Sequence, residues 1–329
     1  MKVAILTSRE RCEKYSDFSM LPEGTELVYI GQEYTARNVL EKAGDADCVL
    51  VDAVLPVTAE MIEGMPNLKM IHSEGVGFAA IDVEAAAKRG VYVCNNRAVN
   101  APQVAEHTVL LMLAVLRRMM EGDAMVRAGR QMEAKTAFIY EGLGDLLEKK
   151  IGMIGFGAIG KELARRLLPF GCELYYYDPL RADAETEREY HVRYADLETL
   201  YRQSDIITLH VPVNESTMKM INRDSLAMMK PNAIVVNCAR GAVVDSAALA
   251  EAICSGTIYG AGLDTMDPEP VPIDDPIIQM PEQYRYRVVM TPHIAGTTKS
   301  VFVNSYKNIW RNVSHIAAGE KPFNIVNGL

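Results

Sequence analysis

The sequence lacks an excess of positive charge and a membrane-length apolar run. Its 34 lysines and arginines stand against 43 aspartates and glutamates, a net charge of −9, which argues against a protein that coats nucleic-acid phosphates or anionic lipid. The longest apolar run, VLLMLAVL at residues 109–116, is far below the roughly 18 residues that a membrane span needs. We therefore expect neither a nucleic acid nor a membrane as partner, and the positive groups for any anionic ligand must be local.

Closely spaced cysteines are also missing. The six cysteines are scattered at positions 12, 48, 94, 172, 238 and 254, with no Cys-x-x-Cys pair and no histidine spacing suited to zinc. This pattern predicts reduced thiols in the cytoplasm and no metal site. The opening MKVAILTSRE reaches charged residues after too short an apolar run for a signal peptide, and it predicts a first strand instead.

What is present is an ordinary globular composition in which short β-rich runs alternate with helical patterns. Of the 329 residues, 49% are hydrophobic and 23% are charged, and this length favours two domains. The candidate strands are VAIL, ELVYI, CVLV, MIHS and VYVC in the first hundred residues, then IGMIG, ELYYY, IITL, AIVVN, YGAGL and RVVM from residue 151. Such alternation predicts two α/β domains with parallel sheets covered on both faces.

A long helix starting near Gln103 separates the two series of strands, which places one domain boundary near residue 98. The last segment, VFVNSYKNIWRNVSHIAAG, has the pattern of an amphipathic helix and could cap either domain. If it returned to the first domain, the chain would cross twice and leave a cleft between two lobes, where ligands commonly bind.

The stretch KKIGMIGFGAIGKELARRL contains the first motif with chemical meaning. Gly155, Gly157 and Gly160 fit G-x-G-x-x-G between a strand and a helix, which indicates a dinucleotide pyrophosphate site. The next strand ends in Asp178, close to the spacing at which an acid hydrogen-bonds the adenosine ribose. Asp178 would repel a 2′-phosphate and so favours NAD, although the nearby Arg181 leaves NADP open.

Charged groups then follow three strands of the second series. Arg240 comes after AIVVN, Asp264 ends YGAGL with Glu269 five residues on, and His293 follows RVVM in the stretch VVMTPHIAGTT. Taken one at a time, each charged residue is most simply interpreted as a surface charge or a helix cap. His293 alone is most simply interpreted as a loop histidine whose ring bonds a backbone carbonyl. Together, at the edge where parallel sheets hold ligands, they suggest that His293 is a proton donor, because an imidazole exchanges protons near neutral pH.

With these residues in place, the sequence resembles the D-isomer-specific 2-hydroxyacid dehydrogenases from about residue 70 to 298. The motifs SEGVGF, VAEHT, GFGAIG, HVPVNEST, NCARGAVVD, GLDTMDPEP and TPHIAG stand in the family's order and spacing. The resemblance implies two Rossmann-like or flavodoxin-like α/β domains with parallel sheets flanking an interdomain cleft. Residues 1–98 plus 299–329 would form the substrate-binding domain, and 99–298 the NAD-binding domain.

The resemblance also implies roles for individual residues. Arg240 matches the arginine that grips the substrate carboxylate and carbonyl, His293 the acid/base, and Glu269 the carboxylate that orients this histidine. The loop Gly75, Val76 and Gly77 resembles the turn whose backbone N–H groups complete the carboxylate site, although an ordinary connection is equally consistent with it. Asp264 resembles the residue that holds the nicotinamide carboxamide. The remaining cofactor-binding positions implied by the motifs are Gly155, Gly157, Ala158, Ile159, Gly160, Asp178, Val211, Pro212, Thr217, Cys238, Ala239 and Gly296.

The chain departs from the family pattern in its first lobe. Ala79 and Ala80 stand where the family commonly has Asp-Asn, and Ser73 and Glu74 precede the loop glycines where a phosphoglycerate enzyme would be expected to carry an arginine. We expect the Glu74 carboxylate to repel a phosphorylated substrate by about 1 kcal/mol or more per close charge pair. Glu269, rather than the glutamine of formate-type members, disfavours formate.

The sequence therefore predicts an NAD-dependent oxidoreductase that interconverts a small D-2-hydroxy acid and its 2-keto acid, such as lactate, glycerate with hydroxypyruvate, or a bulkier analogue. Phosphoglycerate dehydrogenase is an alternative, and an NAD-sensing, corepressor-like binding protein is an alternative of another class. A Rossmann enzyme with unrelated chemistry would leave Arg240, Glu269 and His293 unexplained together. The family further implies a homodimer whose substrate is a small molecule, and the cysteine pattern predicts that it is cytoplasmic.

Overall fold

The chain passes from one folding unit to a second and then returns. A computed structural model describes all residues, Met1–Leu329. Unit 1 comprises Met1–Val99 and Thr297–Leu329, and unit 2 comprises Asn100–Gly296. No helix is long and apolar enough to cross a bilayer, and all six cysteines carry free thiols.

Unit 1 is built on a five-stranded parallel sheet with the order β2-β1-β3-β4-β5. Its strands are nearly continuous apolar runs, as expected where helices cover both faces. The order is that of flavodoxin-like folds. The strands are β1 (Lys2–Leu6), β2 (Glu26–Tyr29), β3 (Cys48–Val51), β4 (Met70–Ser73) and β5 (Tyr92–Cys94). The helices are α1 (Arg9–Tyr15), α2 (Ala36–Ala43), α3 (Ala59–Glu63), α4 (Val83–Lys88) and α14 (Lys299–Ala317), with a 3-10 turn at Phe18–Met20.

Helix α14 closes one face of this sheet. Its apolar stripe is fully buried at Tyr306, Ile309 and Trp310, and these side chains join one core cluster with β-strand residues such as Ile5 and Leu50. The C-terminal segment, which the sequence alone could have assigned to either domain, thus belongs to unit 1.

Unit 2 is built on a seven-stranded parallel sheet with the order β12-β11-β10-β9-β6-β7-β8. The strands are β6 (Lys150–Ile154), β7 (Glu173–Tyr177), β8 (Val192–Tyr194), β9 (Ile206–Leu209), β10 (Ile234–Asn237), β11 (Gly260–Leu263) and β12 (Val288–Met290). The helices are α5 (Ala101–Leu116), α6 (Met119–Arg127), α7 (Gln131–Glu141), α8 (Ala158–Leu167), α9 (Ala184–Glu189), α10 (Leu197–Gln203), α11 (Arg223–Ala227), α12 (Ser246–Ser255) and α13 (Glu282–Arg285), with 3-10 turns at Leu168–Phe170 and Gly241–Val243.

This strand order is that of a doubly wound Rossmann sheet, with the direction of winding reversing between β6 and β9. The predicted α/β class with two parallel sheets is therefore confirmed. Strand β8 was missed because it has only three residues, VRY, of which only Val192 is buried. Helices α6 and α7 were also missed, because between them they bury only Ala134 and so show little apolar periodicity.

Candidate active site

The glycine-rich turn between β6 and α8 has the geometry that its motif predicts. Gly155 adopts a φ of 95°, and a Cβ there would lie 2.6 Å from the carbonyl oxygen of His210. A Cβ on Gly160 would lie 2.7 Å from the oxygen of Gly155. A Cβ on Gly157 would meet nothing within 4 Å. The first and third glycines are thus required by the fold, whereas the second keeps open space in front of the backbone.

The N-terminus of α8 is ready to receive an anion. Gly157 is the N-cap and offers no side-chain acceptor, and the amides of Ala158, Ile159 and Gly160 have no acceptor in the chain before Lys161 bonds back to Gly157. Unpaired amides at the positive end of a helix dipole bind phosphate. The turn therefore fits a dinucleotide pyrophosphate.

Asp178 lies beside this turn at the end of β7. One carboxylate oxygen accepts a 2.9 Å hydrogen bond from the amide of Phe156, and the other a 3.0 Å bond from the amide of Leu180. These bonds hold an acidic acceptor next to the glycine turn, the arrangement that recognises the ribose hydroxyls of NAD.

The other cofactor positions implied by the motifs lie on loops after β9, β10 and β12. After β9, Val211 and Pro212 lead into a loop whose Thr217 hydroxyl donates to the Pro212 oxygen at 2.6 Å and accepts from the Asn214 amide at 2.9 Å. The hydroxyl of Thr217 is thus used to shape this loop. Cys238 and Ala239 are buried directly after β10, and a Cβ on Gly296 would lie 2.6 Å from Asn100 Nδ2.

Asp264 organises the loop that carries the candidate proton donor. It is only 1% exposed. One oxygen accepts bonds from the Thr291 hydroxyl at 2.6 Å and the Ile294 amide at 2.9 Å, and the other accepts from the Ala295 amide at 2.9 Å. Sequence reasoning assigned Asp264 only to the nicotinamide and missed this positioning role.

His293 and Glu269 lie in direct contact. The Nδ1 atom of His293 is 2.9 Å from an oxygen of Glu269, and both side chains are 45% exposed. His293 adopts a φ of 54°, in the left-handed region, and its amide is held by the carbonyl oxygens of Asp264 and Thr291. A non-glycine residue in this region costs of order 1–3 kcal/mol and persists only where its surroundings fix it. With Nδ1 engaged by the carboxylate, Nε2 is left free for a ligand.

His107 is a further member of this constellation. Its Nε2 atom is 2.9 Å from the Thr291 hydroxyl and 3.5 Å from the nearer oxygen of Asp264. Helix α5 is thereby tied to the loop of His293. Sequence reasoning quoted the VAEHT motif but gave this histidine no role, because its partners are 157 and 184 residues away.

Arg240 is an unpaired cation at the same sheet edge. It follows β10, which neighbours β11 in the sheet, and its side chain is exposed. Its guanidinium donates one 2.7 Å bond to the oxygen of Ala239 and forms no ion pair with any carboxylate of the chain. Asn237 accepts from the Ala239 amide and donates to the Arg240 oxygen. The segment is fixed while most of the guanidinium fork remains available to an anion.

In unit 1, the loop after β4 turns its carbonyl groups inward. Each carbonyl oxygen from residues 74–77 accepts a hydrogen bond. The donors are Asn96 Nδ2 to Glu74 at 2.8 Å, the Asn96 amide to Gly75 at 2.9 Å, Asn95 Nδ2 to Val76 at 2.7 Å and Ser73 Oγ to Gly77 at 2.5 Å.

The amides of this loop point the other way. Those of Gly75, Val76 and Gly77 have no acceptor in the chain. Successive amides that face one side form a concave anion site, which favours the carboxylate-binding interpretation over an ordinary connection. Ala79 and Ala80 contribute no polar side chain, so the donors that orient the loop come from Ser73, Asn95 and Asn96.

The side chain of Glu74, which we expected to repel a phosphorylated substrate, is turned into the unit. The side chain is 6% exposed and lies among donors instead of facing solvent. It accepts hydrogen bonds from Thr7 at 2.8 Å, from Tyr306, and from two nitrogens of Arg11. Arg11 also pairs with Asp52 at 2.6 Å, so one guanidinium serves two carboxylates. The inward position of Glu74 weakens the expected repulsion without removing the negative charge of this group.

Comparison with known proteins agrees with this geometry. Residues 109–295 match the family model for the NAD-binding domain of D-isomer-specific 2-hydroxyacid dehydrogenases. The chain is 39% identical to a glyoxylate reductase of Thermococcus litoralis over 88% of its own length and 86% of that protein. It is also 39% identical to a hydroxypyruvate reductase of Thermotoga maritima, over 85% of its own length and 87% of that protein.

A solved structure extends the match to the fold and the cofactor. The D-lactate dehydrogenase of Lactobacillus jensenii, solved with NAD+, superposes with a TM-score of 0.83 at 30% identity, covering 99% of both chains. This chain belongs to the family of D-isomer-specific 2-hydroxyacid dehydrogenases. It is an NAD-dependent oxidoreductase, and the cofactor and reaction class expected from the sequence are confirmed.

Proposed function

We propose that the protein reduces a small 2-keto acid to the D-2-hydroxy acid, reversibly, with His293 as the acid/base. The single observation that carries this proposal is the 2.9 Å contact between His293 Nδ1 and Glu269, which leaves Nε2 free on a loop pinned by Asp264. In a member of this family, a histidine so held is suited to exchange a proton with a substrate oxygen.

The proposed chemistry needs one proton and one hydride. The glycine turn and Asp178 would hold NADH, which when bound would supply the hydride for the carbonyl carbon, so that the carbonyl oxygen would require a proton. His293 donates that proton from Nε2 and takes it back in the oxidation direction. Glu269 stabilises the imidazolium and fixes its ring orientation, and Asp264 with Thr291 and His107 positions the loop.

Binding of the substrate carboxylate is proposed for two groups. Arg240 offers a guanidinium fork that has no carboxylate partner within the chain, and such a fork matches a planar carboxylate through two parallel bonds. The amides of Gly75, Val76 and Gly77 offer a second anion site. On this basis we assign substrate binding to residues 1–98 plus 299–329 and NAD binding to 99–298.

Among substrates, we place glyoxylate and hydroxypyruvate first, since the relatives from Thermococcus litoralis and Thermotoga maritima are reductases of these acids. Pyruvate, branched 2-keto acids and phosphohydroxypyruvate complete the panel. Loss of NADH absorbance measures each rate. The proposal is contradicted if none of these acids is reduced by protein that binds NADH.

The residue assignment is tested by His293→Gln. We expect NADH affinity to stay within about twofold while kcat falls by about 10² to 10⁴, the usual contribution of a positioned acid/base. His315→Gln is the matched control, because His315 also lies beside a glutamate, Glu320 at 4.0 Å, but on α14 of unit 1. Near-normal turnover of His293→Gln would refute the assignment.

We further propose that the protein is a cytoplasmic homodimer. Helices α6 and α7 expose large apolar side chains that form no core of their own, namely Met119, Met120, Val126, Met132, Ile139 and Tyr140. Monomers seldom leave such a surface open, and a second copy of the chain would cover it. Light scattering should give twice the chain mass of 36.4 kDa, and Ile139→Lys should lower that value.

A further inference from the structure

The structure bears on how the chain chooses between NAD and NADP. The two cofactors differ only by a phosphate on the adenosine ribose, next to which the acid at the end of the second Rossmann strand lies. In this chain that acid is Asp178. Arg181 stands three residues on, and an arginine near this position is the group that accommodates a 2′-phosphate in NADP-binding Rossmann domains. The sequence therefore contains one residue for each cofactor.

The arginine is already occupied. Its Nε and Nη2 atoms donate to the two carboxylate oxygens of Glu187 at 2.9 Å and 3.1 Å. The guanidinium carbon also lies 5.2 Å from the centre of the Tyr194 ring. Two parallel bonds are the strongest way in which a guanidinium holds a carboxylate, and the charge of Glu187 offsets the charge that would attract a phosphate.

Glu187 is itself held in place. Its side chain is 17% exposed, and one of its oxygens accepts a 2.9 Å bond from the hydroxyl of Tyr176. Tyr176 is fully buried, and its hydroxyl in turn accepts from the amide of Ala182. The hydrogen bond from Arg181 lowers the pKa of Glu187, so the carboxylate is charged at neutral pH.

We propose that Glu187 is a cofactor-specificity residue that withholds Arg181 from the 2′-phosphate of NADP. Asp178 excludes the phosphate by repulsion, and Glu187 excludes it by occupying the cation that would otherwise bind it. NAD carries a hydroxyl group at this position, so the pairing of Glu187 with Arg181 does not affect its binding. Because Arg181 is 63% exposed and exposed pairs are screened by water, the effect of Glu187 is smaller than that of Asp178.

The test measures dissociation constants of NADPH and NADH for the free protein by quenching of intrinsic fluorescence or by calorimetry. Glu187→Gln keeps the shape of the side chain and an acceptor for Tyr176 while removing the charge. We expect it to tighten NADPH about twofold to fivefold, the range that exposed ion pairs give, and to leave NADH unchanged. The gain should shrink as salt is raised, because it depends on an exposed charge pair.

Arg181→Ala completes a double-mutant cycle. In the native background it should leave NADPH affinity unchanged, because Arg181 is withheld there. In the Glu187→Gln background it should abolish the gain. Glu189→Gln is the matched control, since Glu189 lies on the same helix and pairs with Arg165 at 3.0 Å.

The proposal is overturned if Glu187→Gln binds NADPH no more tightly than the native protein. It is equally overturned if the gain survives removal of Arg181, or if Glu189→Gln produces the same gain. The dissociation constant of NADH for each variant shows whether the cofactor site has folded. If Glu187→Gln no longer binds NADH, Glu187→Ala takes its place in the test. These binding measurements do not depend on the identity of the keto acid.

Discussion

The molecule contains two glycine loops that present free amides, and they reach this state by different means. In unit 2, the turn from Gly155 to Gly160 relies on its own glycines and on the uncapped start of α8. In unit 1, the loop from Glu74 to Gly77 relies on Asn95 and Asn96, about 20 residues further along the chain, which bond three of its four carbonyl groups. The first loop is built locally, and the second is built by a neighbouring strand.

The difference has a physical origin. A helix supplies unpaired amides at its first turn without help, so glycines that admit the ligand are sufficient in unit 2. In a loop that does not start a helix, the peptide amides can face either side. Hydrogen bonds to the carbonyl groups are then needed to fix one orientation. In unit 1 the selection comes from the end of β5, which pairs with β4 and so brings the asparagines under the loop.

Among the substitutions that compare the two loops, the largest effect is expected at Gly157, because we expect the unit 2 loop to bind NADH and the unit 1 loop to bind the keto acid. Gly157→Ala should raise the NADH dissociation constant about tenfold or more, since its methyl group would enter the open space that the pyrophosphate backbone contact requires. Because a Cβ there meets nothing within 4 Å, thermal stability should change little. Calorimetry and thermal unfolding measure the two quantities.

Gly77→Ala is the counterpart in unit 1. A Cβ there would lie 3.4 Å from the oxygen of Ala53, an ordinary contact. NADH affinity should be retained while the KM for the keto acid rises. If both substitutions weakened NADH equally, the two loops would not have separate ligands.

A smaller effect tests the remote support of the unit 1 loop. Asn95→Ala removes the donor to the Val76 oxygen and should raise the KM for the keto acid about tenfold, close to the value of one hydrogen bond, with NADH affinity unchanged. Steady-state kinetics measure the change.

Asn327→Ala is matched to this variant, because Asn327 also bonds the backbone of unit 1, at Val91 and Val93, but bonds none of the carbonyl groups of the loop. It should cost similar stability and leave the KM unaltered. Equal KM changes in the two variants would show that the KM follows the overall stability of unit 1 and not the hydrogen bond from Asn95 to the loop.

The loop of unit 2 can be predicted from the sequence because it is built locally, whereas the loop of unit 1 depends on distant residues. The cofactor site of unit 2 is encoded within one short segment of the chain, by Gly155, Gly157, Gly160 and Asp178. Their spacing reflects local geometry, so the sequence predicts both the fold and the cofactor. The functions of Asn95 and Asn96 could not be predicted, because nothing in NNRAVN indicates which carbonyl groups lie beneath it. The inward position of Glu74 could not be predicted for the same reason. Its partners Thr7, Arg11 and Tyr306 come from distant segments, and only the packed unit shows that its carboxylate lies among them.

The smallest expected effect concerns acid stability, because each loop has a histidine next to it: His72 is fully buried, and His210 is half-buried with a buried Nδ1 atom. His72 on β4 precedes Ser73, and the oxygen of His210 lies against Gly155. Burial lowers the pKa of His72 to about 4 and that of His210 to about 3. Between those values and the ordinary pKa near 6.5, unfolding takes up protons, so the free energy of unfolding falls as the pH is lowered below about 6.5.

His72→Phe should reduce this slope by up to about 1.4 kcal/mol per pH unit, and His210→Phe should do the same for unit 2. Urea unfolding from pH 7 to pH 4.5 measures the slopes. An unchanged slope in both variants would mean that other groups control acid unfolding.

The buried carboxylate of Asp264 has a consequence for how this enzyme tolerates change. It joins strand β11, helix α5 through His107, and the segment of His293 into one rigid framework. The proposed proton donor, His293, is therefore positioned by the sheet of unit 2, whereas the residues proposed to meet the side chain of the substrate lie in unit 1. We therefore expect substitutions in unit 1 to change which keto acids are accepted without moving His293. Almost any replacement of Asp264 would move His293 itself.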